Sequence, residues 1–292
     1  MSSRMWMERL VQIPFGHEHM AGILTIPREA NKHSILIPWG AGAYPSSGRN
    51  RLRARFARNL AERGFHSLRF DYVGVGESTG IYRRGDTRYP FAQDICAAAD
   101  WLVGRAPDHL LIVANCFGGW SVLAAASDLP TPEGVCLINS PLGRSHVEVR
   151  AHQSAGRPLM EGIRRINFEK LRSPVHRDVY KKFLITRARR WFGPHPVRTR
   201  SAPYLKGLDV LLSRNARVLL LYGSDDFRED LDAVMRGTPG KRLISDPRVQ
   251  VVCVEESFQG CVALTAQDVL IQRVAPWLEQ VSTHEPGVDM AP

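Results

Sequence analysis

The stretch HLLIVANCFGGWSVLAAA, residues 109–126, constrains this 292-residue chain more than any other. Its first half is an unbroken apolar run, the pattern of a strand buried on both faces. From Phe117 onward the residues are small or apolar and read as a helix. Between the two there is room only for an abrupt turn at Asn115-Cys116. A backbone reverses that sharply only where its neighbours are small, and Ala114, Gly118 and Gly119 meet that demand. A strand covered on both faces needs helices above and below it, which points to an α/β layered architecture.

The rest of the chain repeats the theme. RLVQIPF and HMAGILTIP alternate like an antiparallel hairpin. SILIPWGAGAY is a buried strand running into a glycine-rich loop. RNRLRARFARNLAERGF has helical spacing and stops at Gly64. Further strands are expected in HSLRFDYVG, GVCLINSP, ARVLLLYGSDD and RVQVVCVEES, and further helices in RYPFAQDICAAADWLVGR and ALTAQDVLIQRVAPWLEQV. The expected fold is therefore a mostly parallel central sheet flanked by helices, with a helical lid inserted where some 75 residues separate two strands. The boundaries read as a core of 1–140 and 206–282, a lid of 141–205 and a disordered tail of 283–292.

Charge is unevenly distributed. Residues 141–205 hold 15 Lys/Arg against 4 Asp/Glu, a net of +11, whereas the whole chain carries +10. The remainder is thus close to neutral, at −1, and no nucleic-acid motif accompanies the basic segment. No run of apolar residues is long enough to span a membrane, and the N-terminus lacks the apolar core of a signal peptide, so a cytoplasmic location is expected. The five cysteines are odd in number. Cys96, Cys136, Cys253 and Cys261 fall in apolar segments and read as small core residues, leaving Cys116 in the turn.

In this order and spacing the motifs resemble the α/β-hydrolase superfamily, near its serine-aminopeptidase and lysophospholipase-like branch, over about residues 20–282. PWGAGA stands where the family has its His-Gly loop, and LRFDYVGVGESTG is similar to its Asp-x-x-Gly-x-Gly-x-Ser turn. ANCFGG fits the nucleophile elbow, Gly-x-Ser-x-Gly, with Ala114 for the first glycine and Cys116 for the serine. LLLYGSDDF is similar to the strand and loop that deliver the acidic member of the triad. The resemblance implies an oxyanion hole from the amides of Phe117 and Ala41, an acid at Asp226 with Asp225 as the fallback, and Trp39 in the substrate pocket. It implies no cofactor and no metal.

The base is where the sequence departs from the family. Aligning EESFQG on the family's Gly-x-x-His places Gln259 on the histidine's position. Of the ten histidines, only His284, in the tail, lies beyond His195. Glutamine donates and accepts hydrogen bonds but takes no proton. A serine without its histidine would be nearly inert, whereas a thiol keeps a few per cent of thiolate at neutral pH, and more at a helix N-terminus. Releasing an acyl-cysteine to water would still need a base.

The expectation is an ester- or thioester-directed enzyme of acyl or polyketide-like metabolism that works by acyl transfer or by expelling a carboxylate. In elimination the pocket would need a base at carbon, for which His146, His152 and His176 of the basic segment are candidates. The alternatives are a cysteine-dependent hydrolase, similar to dienelactone hydrolases, and a non-catalytic pseudo-hydrolase that binds a ligand or partner. The basic segment suits an anionic or carrier-bound substrate such as an acidic acyl carrier protein, with Arg187, Arg189 and Arg190 recognising it. The Debye length falls from about 10 Å at 0.1 M salt to about 3 Å at 1 M. The kcat/KM for an anionic thioester should therefore drop across that range, and drop less once the three arginines are changed to alanine. A flat salt profile would make the charge a mere surface property.

Overall fold

The structure is a computed structural model that describes residues 5–40, 46–82, 91–107, 109–140, 202–224, 231–232, 234–235, 238–258 and 263–283. Residues 141–201 of the expected lid lie outside the described residues, as does the tail beyond Thr283.

The central layer is an eight-stranded sheet in the order β1-β2-β4-β3-β5-β6-β7-β8. Strands β1 (Trp6–Phe15) and β2 (Glu18–Pro27) form the expected antiparallel hairpin, and β2 pairs antiparallel with β4 (His66–Phe70). From β4 onward every pairing is parallel, through β3 (His33–Ile37), β5 (His109–Asn115), β6 (Pro132–Ile138), β7 (Arg217–Tyr222) and β8 (Val249–Cys253). Parallel neighbours require crossovers, and helices α1 (Leu52–Glu62), α2 (Ala92–Val103), α3 (Phe117–Ala125), α4 (Ala202–Ser213), α5 (Thr238–Ile244) and α6 (Leu264–Ser282) pack on the two faces.

The side-chain alternation of the strands splits the core in two. Ile35, Ile37, Leu111, Val113, Cys136, Ile138, Leu219 and Leu221 point to one face and meet α1 and α6. Leu36, Ile112, Ala114, Val135, Leu137, Val218 and Leu220 point to the other and meet α2, α3, α4 and α5. Each fully buried side chain of this size contributes about 1.5–3 kcal/mol, so the continuous apolar runs of β3, β5, β6 and β7 are what the two-faced burial demands. One expectation fails at the edge. Cys253 is exposed, not a core residue, because β8 is the outermost strand and pairs only with β7. Cys136 is buried and Cys96 half-buried.

The strand order fixes where a site can form. The chain runs from β3 to β4 on one side, then to β5 on the other side of β3. At such a reversal the loops leaving β3 and β5 diverge and open a crevice at their carboxyl ends. Helix α4 closes on α3 through Gly207, where an added Cβ would lie 2.1 Å from the carbonyl oxygen of Leu123. Tyr204 of α4 stacks on Trp120 of α3 with ring centroids 5.0 Å apart. Because the clash is with backbone, Gly207→Ala should destabilise the fold by about 1–3 kcal/mol, the usual range for overpacking. Urea unfolding followed by far-UV circular dichroism checks this, and an unchanged midpoint would mean that α3 and α4 do not cross so closely.

Candidate active site at the elbow

Cys116 follows β5 and precedes α3 with φ 52° and ψ −118°, a conformation that an L-residue adopts only under constraint. Three contacts impose it. The Cys116 N–H donates to the carbonyl of Ile138 (2.9 Å), its own carbonyl accepts from the N–H of Gly119 (3.0 Å), and the Ser140 hydroxyl approaches the same carbonyl at 3.4 Å. The turn is so tight that neither glycine after it can carry a side chain. A Cβ on Gly118 would stand 2.5 Å from the Pro38 carbonyl oxygen, and one on Gly119 would stand 1.9 Å from the Ser140 hydroxyl.

The loop leaving β3 lies directly alongside. Trp39 bridges to Asn115, and the N–H of Gly40 donates to the Asn115 carbonyl at 3.1 Å. Trp39 is half-buried there, beside the elbow and next to the first turn of α3. Phe117 is the first residue of α3, so its amide is an end donor of that helix and faces along the axis toward the turn. The partial positive charge at this helix end favours an anionic sulfur or oxyanion. The two β-strands on either side of the reversal thus bring Trp39, Cys116 and Phe117 together.

The other named residues fall just beyond what is described. Ala41 follows Gly40, Asp226 follows Ser224 by two positions and Gln259 follows Phe258, and all three lie outside the described residues. So do Asp225, Arg187, Arg189, Arg190, His146, His152 and His176. Their chain neighbours are firmly held. Gly223 donates its N–H to the Asn139 side-chain oxygen (2.9 Å), Ser224 donates its N–H to the Glu256 carbonyl (3.1 Å), and the Tyr222 hydroxyl donates to the Ser140 carbonyl (3.0 Å). Phe258 is buried in the core. The loops after β7 and β8 therefore leave the sheet side by side and close to the end of β6.

Sequence reasoning passed over the buried polar residues behind the elbow. Ser140 and Asn139 brace the turn, and nothing in NSP signals that, since the need arises only when β5, β6 and β7 lie side by side. Asp71 opens the Gly-rich turn after β4. The Ser78 hydroxyl donates to its carbonyl (2.7 Å), and a Cβ on Gly76 would fall 2.3 Å from its carboxylate. Arg53 of α1 is buried near Asp71 and Tyr72, and burial lowers its guanidinium to about 10, with Tyr72 and Asp71 opposing the shift. Burial drives the Tyr72 phenol far above its ordinary value. Asp94 and Cys116 add to that rise, and Arg53 and the Trp39 amide work against it. Tyr72 is therefore neutral at physiological pH and close enough to Cys116 to sense its charge. Arg53 is the one charged residue on the buried face of α1, among Leu52, Ala54, Phe56, Ala57, Leu60 and Ala61.

The cysteines should react in a definite order. Burial raises the Cys136 thiol well above its ordinary value and pushes Cys96 up to about 11, with Asp128 and Asp100 adding to the rise at Cys96. Neither should label quickly near neutral pH. Cys253 is exposed at the end of β8, whereas Cys116 stands at the N-terminus of α3, so Cys116 should be alkylated faster than Cys253 at pH 7. Peptide mapping after brief iodoacetamide treatment of the folded protein checks this; faster labelling of Cys253 would mean that the elbow does not activate its thiol.

The fold has counterparts among solved structures. The structure resembles proline iminopeptidase of Mycobacterium smegmatis, with 18% identity, a TM-score of 0.59, and coverage of 94% of this chain and 99% of that one. It resembles an esterase of Pyrococcus furiosus with 14% identity and a TM-score of 0.61, over 95% and 92% of the two chains. A dienelactone hydrolase of Anabaena variabilis gives 17% identity and a TM-score of 0.57, over 94% and 98%. At these identities the likeness is one of fold. No curated protein matches the sequence significantly. Among the described residues no helix is long and apolar enough to cross a membrane. The sequence signature of the alpha/beta hydrolase family matches residues 35–261, most of the chain, from within β3 to beyond β8, and the protein belongs to that family.

Proposed function

We propose that this protein is an enzyme in which Cys116 accepts an acyl group from an ester or thioester and passes it to an acceptor other than water. The observation that carries this reading is an elbow built to its full strained geometry around a thiol, in a chain whose last strand is followed by Gln259 where the family has a histidine. A backbone strain of about 1–3 kcal/mol persists only where the surroundings enforce it, and such strain clusters at functional sites.

The chemistry follows from the thiol. The Cys116 thiolate adds to the donor carbonyl, and the oxyanion forms against the amides of Phe117 and Ala41. The carbonyl re-forms, the donor thiolate departs and takes a proton from solvent, and the acyl group rests on Cys116. One C–S bond has replaced another, so the step is close to thermoneutral and needs no general base. An amine or thiol acceptor then attacks the acyl-cysteine, the C–S bond to Cys116 breaks to regenerate the thiolate, and the acceptor's proton passes to solvent. Water is a poor acceptor because nothing at Gln259 can take its proton. Asp226 is assigned to hold Gln259 in place, Trp39 to line the acyl pocket, and Arg187, Arg189 and Arg190 to recognise an anionic donor, coenzyme A or an acidic acyl carrier protein. Acyl metabolism of the polyketide type is the setting these features suit.

Carboxylate elimination is the second reading. The same glutamine favours it, since this route needs no acyl-enzyme and no activated water: a base, for which His146, His152 and His176 are candidates, takes the α-proton, the enolate forms against the oxyanion hole, and the β-carboxylate leaves as the double bond forms. The two readings separate on one measurement. Incubation with an acyl-N-acetylcysteamine thioester should add the mass of one acyl group at Cys116, discharged by added amine and absent in Cys116→Ala. Release of acetate from a β-acetoxy ester that survives Cys116→Ala would instead support elimination, and neither adduct nor turnover would leave a binding protein.

A second expectation concerns the base. In the Cys116→Ser background, Gln259→His should raise p-nitrophenyl acetate hydrolysis by about 10²–10⁴, the usual worth of a general base. No gain in a folded double variant would show that Gln259 does not stand in the base's place or that Asp226 is not the acid.

A further inference from the structure

At the opposite end of the sheet from the elbow, three titratable side chains meet at the first residues of adjacent parallel strands. His33 opens β3, His109 opens β5, and Glu133 is the second residue of β6. The His33 Nε2 atom lies 2.9 Å from one carboxylate oxygen of Glu133, and the His109 Nδ1 atom contacts the other oxygen. All three donor atoms lie within 4.8 Å of one another. The imidazole rings are 5.0 Å apart, centroid to centroid. His33 is buried and packs edge-on against Phe65, and its backbone N–H is fixed by the Asn31 side chain at 2.9 Å. His109 and Glu133 are partly exposed, with side chains 39% and 29% accessible, so the cluster opens to solvent on one side.

The geometry points to a divalent transition-metal site of the zinc type, with His33 Nε2, His109 Nδ1 and Glu133 as its protein ligands. Bonds of about 2.0–2.2 Å at tetrahedral angles place ligand atoms about 3.3 Å apart, a spacing this cluster reaches with shifts of about an ångström. Two imidazoles and one carboxylate select zinc and its neighbours over calcium or magnesium, which take oxygen ligands. Three protein ligands leave the fourth position to a water or a small anion. The metal would take the place of the contacts that now join the two imidazoles to the carboxylate, and so would tie three strand starts with coordinate bonds. Strand β5 runs seven residues from His109 to Asn115, so at about 3.3 Å per residue the site is roughly 20 Å from Cys116. It is a separate site, independent of the acyl chemistry.

The test uses the full chain, freed of any affinity tag and dialysed against chelator. Zinc titrated against a competing indicator should bind at one equivalent with Kd of about 1 μM or tighter, and should raise Tm. Cobalt should give the d–d absorption of a four-coordinate nitrogen/oxygen site without thiolate charge-transfer bands. His109→Ala, at the more exposed ligand, should weaken zinc by about 100-fold or more, since losing even an outer partner weakens metal binding 10–100-fold. Glu133→Gln should do the same, while Cys116→Ala should bind as the parent does. Binding no tighter than about 1 mM, a thiolate signature with cobalt, or His109→Ala and Glu133→Gln binding like the parent would each overturn the assignment.

Discussion

The rest of the site depends on one constraint, the reversal of the backbone at Cys116. A residue at φ 52° and ψ −118° is not stable alone. It is held because β5 lies between β3 and β6 and receives contacts from both. The Ile138 carbonyl takes the Cys116 N–H, Ser140 closes under the turn, and the Pro38 carbonyl presses where Gly118 has no side chain. Every one of these contacts comes from the carboxyl end of a neighbouring strand. The sheet is therefore the device that lifts the sulfur, and the two-faced apolar burial of β3, β5 and β6 is what makes the sheet rigid enough to do so.

Once the turn is in place, the chemistry is decided by the atom it carries. A hydroxyl at this position would need a histidine to become a nucleophile, whereas a thiol at the positive end of α3 needs only the electrostatics already present. The buried Arg53, Asp71 and Tyr72 lie behind the same loops, so the surroundings of Cys116 are polar and fixed rather than solvent-like.

The two ends of the sheet are built differently. Elbow, Trp39 loop and the loops after β7 and β8 gather at the carboxyl ends, where the reversal of strand order opens a crevice. At the amino ends the strands start close together with nothing to diverge, and residues there meet side to side. That is why His33, His109 and Glu133 can converge although Glu133 is 100 and 24 residues from its two partners in the chain.

The sequence by itself determined the layers, the strands, the parallel sheet and the elbow, because each rests on local pattern: apolar runs, small residues around a turn, glycine after a helix. It placed Cys116, Phe117 and Trp39 correctly on their elements for the same reason. It misjudged Cys253, whose strand reads as apolar but ends the sheet, since edge or centre is a property of strand order and not of the strand. It gave no sign of Ser140 bracing the turn, of Arg53 turned inward, or of the two histidines meeting Glu133. Those contacts link residues far apart in the chain, and only the register of parallel strands, set when the whole sheet packs, brings them within bonding distance.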